Sequence, residues 1–308
     1  MEGASLRPSS WPTKTARMFT ESLDSLPPDR AITAMTNDGS FRLIAVRSTR
    51  TVRGVLASQK AKGRSAENLA DLCTASLLLR LTMAPTHRAQ AVLVGANGTG
   101  TMVGDSWPDG GTRGLIRERH GGIDLSEGAH MQVMRTLYNG TIHQGVVAVS
   151  QDQRVSGALM NYLLDSEQIT SAVGLGAVMS GDEVLIAGGY VVQLLPEVKE
   201  PPLAVLYERL RSDFADFSRV LAQYDASPEK LASEILWDMP FTQTMEFDDI
   251  EYRCRCSAER VLGSLTTLSK EELQDIVSKG EPLSINCDYC QTDYEVGPES
   301  LRGLIDAS

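Results

Sequence analysis

Four of the five cysteines lie near the carboxyl end of the sequence, in two closely spaced pairs. Cys254 and Cys256 form a CxC pair, and Cys287 and Cys290 form a CxxC pair beyond the intervening residues 257–286. Thiolates are soft ligands, and four of them match the tetrahedral coordination that Zn²⁺ prefers. The spacing therefore predicts one zinc ion bound by these four side chains. Because such a site has no open coordination position, it does not predict hydrolytic chemistry.

The alternative for the same cysteines is a pair of permanent disulfides. Disulfides persist in oxidising compartments, and the amino-terminal residues lack the continuous apolar segment of a secretory signal. A module as short as residues 254–308 also buries too little apolar surface to stay folded without a staple. Zinc is therefore the favoured interpretation of the two pairs.

The residues around the CxC pair predict that its thiols react with oxidants. Arg253, Arg255 and Arg260 flank the pair, and positive charge favours the thiolate, which is the form that oxidants attack. Within each pair the second thiol is near enough to convert a sulfenic acid into a disulfide. Oxidation would remove the metal ligands and with them roughly 10 kcal/mol or more of folding free energy. The sequence thus predicts a module that unfolds when it is oxidised.

Two helices are predicted between the CxC pair and the CxxC pair. Ser257 and Ser269 have the residue type and position of N-caps, so we expect one helix through Leu265 and a second that stops at Gly280. These two helices would fold back and bring the CxxC pair to the CxC pair.

The segment before the CxC pair is predicted to be helical and weakly stable. Apolar residues recur at helical spacing from Leu203 to Tyr224, and Ser227 and Pro228 are typical of the start of another helix. Residues 201–250 contain ten acidic and four basic side chains, so their charged face repels itself and the helices depend on docking. Two interpretations stay open: a functional hinge, or an ordinary amphipathic helix pair with a solvated face.

The first two hundred residues carry the signals of strands and helices in one core. An apolar run predicts a strand over 41–46, and helical spacing predicts a buried helix over 66–84 and a further helix over 155–165. Asn-Gly dipeptides between apolar runs predict two hairpins. These dipeptides are Asn97-Gly98 and Asn139-Gly140.

Two smaller features of the core also lead to expectations. Gly188 and Gly189 interrupt the apolar run of residues 184–195, which predicts two strands joined at a glycine bend. Cys73 lies on the apolar face of the buried helix, where a cysteine is most often an inert small hydrophobe.

Composition and motifs argue against several partners. Asp and Glu outnumber Lys and Arg by 40 to 29, so the net charge is -11 and no nucleic-acid partner is expected. Residues 95–100 are glycine-rich but lack the lysine of a phosphate-binding loop, so no nucleotide is expected. The most apolar stretch, residues 69–83, is interrupted by Asp71 and Arg80, and no membrane span is predicted.

No enzymatic chemistry is predicted. The histidines show neither the spacing of a metalloprotease nor an arrangement with a nucleophile that can be argued from position. They are His87, His120, His130 and His143.

Residues 1–29 are predicted to be an extension before the core. Arg7, Lys14 and Arg17 stand against the single acidic residue Glu2 in the first twenty positions, which is compatible with a disordered or a transit-like segment. We expect a cytoplasmic protein, with a mitochondrion or plastid as the alternative if this segment directs transport.

Several blocks of sequence closely resemble the heat shock protein 33 family of redox-regulated chaperones. The CxC and CxxC pairs come in the family's order and spacing, together with upstream blocks, from about residue 30 to the carboxyl end. The blocks are Gln144–Val147, Ser166–Gln168, Ala187–Gly189, Ile250–Arg260 and Cys287–Cys290.

The resemblance implies an α+β fold with three parts. Residues 30–200 would form a core of crossing sheets, residues 201–253 a metastable helical linker, and residues 254–308 a small zinc-binding redox-switch module.

The resemblance also implies an ATP-independent holdase. The reduced, zinc-bound form would be inactive. Oxidation would form the disulfides Cys254–Cys256 and Cys287–Cys290, release zinc, unfold the linker and yield a homodimer that binds unfolding client proteins. The alternative function is a constitutive zinc-ribbon module for protein interaction.

Four apolar linker residues are candidates for client contact, because opening the linker would expose them. They are Leu206, Leu210, Phe214 and Phe217. The same stripe could instead simply pack on the core.

Overall fold

A computed structural model describes residues 26–119, 122–149, 154–196 and 200–307. The predicted α+β class is confirmed, since the described strands form a five-stranded, a six-stranded and a two-stranded sheet and helices pack against them. Of the predicted extension, residues 1–25 lie outside the described residues, and so does His120. Within the described ranges, no helix is both long and apolar enough to cross a bilayer.

The five-stranded sheet, called sheet A, is antiparallel with the order β10-β1-β2-β9-β8. Its strands are β1 (Arg30–Thr36), β2 (Phe41–Arg47), β8 (Ser171–Ser180), β9 (Glu183–Leu194) and β10 (Phe241–Phe247). The strand predicted over 41–46 is therefore confirmed as β2. Strand β10 was not predicted, and it adds an edge to sheet A from far along the chain by pairing with β1.

The six-stranded sheet, called sheet B, has the order β11-β5-β4-β3-β6-β7. Its strands are β3 (Arg88–Val94), β4 (Gly100–Ser106), β5 (Gly111–Glu118), β6 (His130–Thr136), β7 (Ile142–Ala148) and β11 (Glu251–Tyr252). Both predicted hairpins are confirmed, because Asn97 lies in the turn between β3 and β4 and Asn139 in the turn between β6 and β7. The short strand β11 pairs in parallel with β5 at the edge of the sheet.

Three helices build the core with these sheets: α1 (Thr49–Gln59), α2 (Gly63–Thr82) and α3 (Val155–Asp165). Both predicted core helices are confirmed as α2 and α3. Helix α2 packs against strands of both sheets, and Cys73 on its apolar side is 1% exposed. The main apolar cluster therefore lies around this helix and joins the two sheets.

The predicted glycine bend is wrong, because β9 continues as one strand through Gly188 and Gly189. A Cβ at position 188 would lie 2.5 Å from the Val46 carbonyl oxygen, and one at position 189 would lie 2.8 Å from the Gly174 carbonyl oxygen. These glycines therefore serve close backbone packing in a central strand rather than a change of direction. Strand β8 pairs with β9 on both sides of these glycines and at the glycines themselves.

The linker segment contains α4 (Glu200–Ser212), α5 (Phe217–Tyr224) and α6 (Pro228–Leu236). The apolar stripe from Leu203 to Tyr224 is divided between two helices, because the Asp216 side chain accepts a hydrogen bond from Arg219 N (3.2 Å) and begins a new helix. The predicted N-cap at Ser227 is confirmed. Apolar residues of these helices pack on sheet A in a second cluster, so the helices are docked on the core.

The carboxyl-terminal module is built from short elements. They are α7 (Ala258–Leu265), α8 (Lys270–Ser278), β12 (Leu283–Asn286), β13 (Asp293–Val296) and α9 (Pro298–Ala307). Both predicted caps are confirmed, and Ser269 forms a full capping box with Glu272. A third apolar cluster holds this module together around Leu265, Leu273, Val296 and Leu301.

Candidate metal centre

Strand β11 positions the CxC pair at the edge of sheet B. Tyr252 pairs with Thr112 of β5, and Arg253 N donates a hydrogen bond to the Thr112 carbonyl (3.0 Å). The Tyr252 side chain packs over Gly54 of α1, where an added Cβ would lie 2.7 Å from it. Cys254 therefore follows directly where the chain leaves the core.

The turn between β12 and β13 positions the CxxC pair. Cys287 N donates to the Thr292 carbonyl (2.9 Å), and Gln291 N donates to the Cys287 carbonyl (2.7 Å). The Asn286 amide closes the turn by donating to the Gln291 carbonyl (3.0 Å). These main-chain and side-chain hydrogen bonds thus fix the turn that carries both Cys287 and Cys290.

The four sulfur atoms converge. All four lie within 4.8 Å of one another, with 3.8 Å between Cys254 and Cys287 and 3.3 Å between Cys256 and Cys290. Four sulfurs at the Zn–S bond length at the corners of a tetrahedron would be about 3.8 Å apart. A disulfide would require about 2.05 Å, and all four thiols are free. The donor set and its spacing therefore fit a tetrahedral metal ion.

The thiols differ in acidity. Burial raises the pKa of Cys256 to about 12, although Tyr294 donates a hydrogen bond to its sulfur (3.0 Å), and burial also raises the pKa of Cys287. Burial acts on Cys290 too, but hydrogen bonding to Thr292 (3.2 Å) and to neighbouring cysteines outweighs it and lowers the pKa of Cys290 to about 7. Four thiolates this close repel one another, so full ionisation requires a cation among them.

The arginines that flank the CxC pair in sequence are directed elsewhere. Arg253 and Arg255 both form ion pairs with Asp109, and Arg260 Nη1 donates to the Arg255 carbonyl (2.6 Å). The guanidinium found next to a ligand sulfur belongs to Arg113 of β5, whose Nη1 lies 3.9 Å from Cys254 Sγ. No local pattern could have indicated Arg113, since 141 positions separate it from Cys254.

The four candidate client residues lie away from the cysteines. Leu206, Phe214 and Phe217 are buried and Leu210 is partly buried, all in the cluster between the linker helices and sheet A. The Tyr190 ring makes edge-to-face contacts with Phe214 (6.1 Å) and Phe217 (5.0 Å). In this structure the stripe packs on the core, so contact with clients stays a prediction that requires the linker to detach.

The remaining candidates do not form a second centre. Over the described ranges, the four cysteines are the group of metal-binding side chains that could hold an ion. The Cys73 thiol is buried in the core, and burial raises its pKa to about 12. This supports its interpretation as an inert core residue.

Comparison with known proteins identifies the family. The sequence model of the family described as "Hsp33 protein" matches residues 29–297. The chain belongs to the Hsp33 family. Curated relatives include the 33 kDa chaperonins of Streptococcus gordonii and Bacillus subtilis, each 28% identical and each matched over 90% of this chain and 98% of its own length. Membership of the Hsp33 family supports a chaperone role, and relatives of this kind are chaperonins by name.

A solved structure shows the same fold. The crystal structure of the 33 kDa chaperonin from Thermotoga maritima superposes with a TM-score of 0.77 at 21% identity. The match covers 91% of this chain and 98% of that one. The Hsp33 fold therefore extends over the core, the linker helices and the cysteine module.

Proposed function

We propose that the chain is a redox-regulated, ATP-independent holdase. The reduced form is inactive, and oxidation activates it by forming the disulfides Cys254–Cys256 and Cys287–Cys290. Each disulfide forms with loss of two electrons from two thiols, and a peroxide that accepts them is reduced to water. When bound, Zn²⁺ would supply folding free energy to the module and no catalysis.

The convergence of four sulfurs from two separately anchored segments carries this proposal. The CxC pair continues from β11 on the core, and the CxxC pair belongs to the module, so the cluster ties the two together. Loss of the cluster on oxidation frees the module from the end of the linker. The helices of the segment over 201–250, which carries a net charge of -6, then depend on their docking on sheet A alone.

Detachment of the linker helices would expose apolar surface on the helices and on sheet A. On the linker, the exposed side chains would include Leu206, Leu210, Phe214 and Phe217. On sheet A, buried residues such as Phe41 and Tyr190 would become accessible. Such a surface suits unfolded client proteins and a homodimer of the oxidised chain, and it requires no nucleotide.

A compartment that keeps thiols reduced in the absence of stress suits such a switch. We propose the cytoplasm. The mitochondrion or plastid is the alternative if residues 1–29 direct transport.

The test is to oxidise the reduced, zinc-loaded chain with peroxide under mild heat. Zinc release, the number of free thiols, the mass by light scattering and the suppression of client aggregation are followed together. We expect all four to change with the same time course. Zinc loss without a gain in anti-aggregation activity would contradict the proposal and favour a constitutive zinc-ribbon module.

A further inference from the structure

The two residues inside the CxxC pair contact the core rather than solvent alone. The Tyr289 carbonyl accepts hydrogen bonds from Gln59 Nε2 (2.8 Å) and Ser58 Oγ (3.1 Å) at the carboxyl end of α1. Gln59 Nε2 also lies 2.9 Å from the Asp288 carbonyl. The main chain of the CxxC turn, residues 287–290, is thus bound by side chains of a core helix.

Strand β5 completes this contact. Gln59 Oε1 accepts a hydrogen bond from Ile116 N (3.1 Å), which fixes the orientation of the amide that faces the CxxC turn. Arg117 forms an ion pair with the Asp288 carboxylate. The Arg113 guanidinium lies over the Tyr289 ring, 3.7 Å from its centroid. We call Ser58, Gln59, Arg113 and Arg117 the core socket.

The core holds Arg113 in place independently of the module. Asp105, which is 0% exposed, pairs with Arg113 (3.1 Å) and with Arg88 (2.7 Å). The Trp107 ring lies 4.7 Å from the Arg113 guanidinium. A planar guanidinium that is already oriented loses little freedom when an aromatic ring stacks on it. The stacking surface for Tyr289 is therefore built into sheet B.

The two cysteine pairs are consequently attached to the core at separate points. The CxC pair is attached through β11, and the CxxC turn is attached through the core socket. The carbonyls that the socket binds lie inside the ring that a Cys287–Cys290 disulfide would close. Closing that ring brings the two sulfurs to about 2.05 Å and so changes the turn that the socket contacts.

We propose that the core socket is a docking site for the reduced CxxC turn, and that Gln59 and Arg113 are positioning residues that set how readily the module detaches. The socket acts in addition to the metal, because its contacts are to main-chain carbonyls, to the Asp288 carboxylate and to an aromatic ring rather than to the sulfurs, apart from the approach of Arg113 to Cys254. The consequence for activation rests on the proposed function, whereas the docking itself does not.

The test compares matched variants of the full, reduced, zinc-loaded chain. Gln59→Ala removes the amide that binds both carbonyls, and Gln243→Ala makes the same change on the exposed strand β10. Tyr289→Ala removes the stacked ring, and Tyr289→Phe keeps it. Zinc content is measured beside hydrogen exchange of peptides that cover residues 250–257 and 287–291.

We expect Gln59→Ala and Tyr289→Ala to keep one zinc per chain while exchange in the 287–291 peptide rises about tenfold, the effect of losing two neutral hydrogen bonds to the turn or one cation–π contact. The 250–257 peptide, which the pairing of β11 with β5 holds independently of the socket, should exchange as in the parent chain. Gln243→Ala and Tyr289→Phe should exchange as the parent chain does. Unchanged exchange in both Gln59→Ala and Tyr289→Ala would overturn the proposal. Zinc loss that accompanies the faster exchange would overturn it as well, because the socket would then be part of the metal centre.

A second measurement separates this inference from the proposed function. The same variants are treated with peroxide, and the rate of gain in anti-aggregation activity is recorded. Gln59→Ala and Tyr289→Ala are expected to gain this activity faster than the parent chain. If exchange changes as described but no variant, including the parent chain, gains chaperone activity, then the docking site stands and the redox-switched holdase does not.

Discussion

Cys287 belongs to both contacts of the module, since its sulfur joins the cluster and its main chain begins the CxxC turn. Replacing it by serine removes one thiolate, and a hydroxyl is a poor zinc ligand that stays protonated near neutral pH. We expect Cys287→Ser to weaken zinc binding by several kcal/mol and to leave the linker partly open without oxidant. Zinc content and circular dichroism of the purified variant measure both effects.

Cys73 provides the matched control for that change. Cys73→Ala also removes a thiol, but from a core position that is 1% exposed and outside the group of four converging cysteines. This variant should lose some core stability and keep its full zinc content. A Cys287→Ser chain that stays metal-loaded and fully folded would show that three thiolates suffice.

The sequence was most informative where the chemistry is local. The four cysteines could be assigned because CxC and CxxC each place two ligands within one turn of chain. Arg113, Gln59 and Ser58 could not be assigned, because they reach the module through pairing and packing of distant elements. The charges next to the CxC pair in sequence were misleading for the same reason, since Arg253 and Arg255 form ion pairs with Asp109 instead of contacting the sulfurs.

At the scale of elements, Gly188 determines how closely β9 approaches β2. A methyl group there would lie 2.5 Å from the Val46 carbonyl oxygen and 3.2 Å from Leu221 of α5. We expect Gly188→Ala to destabilise the core by about 2 kcal/mol, because backbone must shift to make room. Gly263→Ala in α7 is the control and should leave core unfolding unchanged, because no described atom outside this helix lies within 4 Å of an added Cβ there. Denaturant unfolding followed by fluorescence measures both variants.

Glycine in an apolar run is ambiguous at sequence level, which explains the wrong bend. The same pattern fits a turn and a central strand against which another backbone packs, and only the partners of the strand distinguish them. Strands β10 and β11 were missed for a related reason. Their exposed and polar residues give a weak pattern, and both strands exist because they pair with an edge formed by distant residues.

Helix α5 depends on its packing against sheet A. Phe217 is buried there against Tyr190, with ring centroids 5.0 Å apart. Phe217→Ala should cost about 3 kcal/mol, which is more than an isolated helix of this length can supply. We expect the linker helices to detach without oxidant while zinc stays bound, and limited proteolysis within 200–236 would report it.

Tyr207 on α4 is the control for Phe217, because it is a large aromatic residue that is 60% exposed. Tyr207→Ala should leave the protease sensitivity of the linker unchanged. Equal sensitivity of the Phe217→Ala variant and the parent chain would mean that docking of α5 is far stronger than its small size implies.

At the scale of the whole molecule, the three apolar clusters differ in how many buried side chains they contain and therefore in how much they stabilise the fold. The first two are extensive and involve sheets A and B, whereas the third has only four buried apolar side chains among the described residues of the module. The sequence predicted the α+β class and a module that needs a staple, because both follow from local pattern and length. It could not predict that the linker ends in strands that belong to both sheets.

Metal removal should therefore separate the module from the rest of the molecule. We expect a chelator under reducing conditions to abolish the protection of residues 254–307 from hydrogen exchange and to lower the protection of helices α4 to α6. Strand β10 should stay protected from exchange, because it pairs with β1. In calorimetry, the metal-free chain should lack a low-temperature unfolding transition and keep the unfolding transition of the core. Zinc added back with reductant should restore the low-temperature transition. If circular dichroism and hydrogen exchange stay the same after zinc is fully removed, the third cluster is self-sufficient and the metal cannot be what holds the module together.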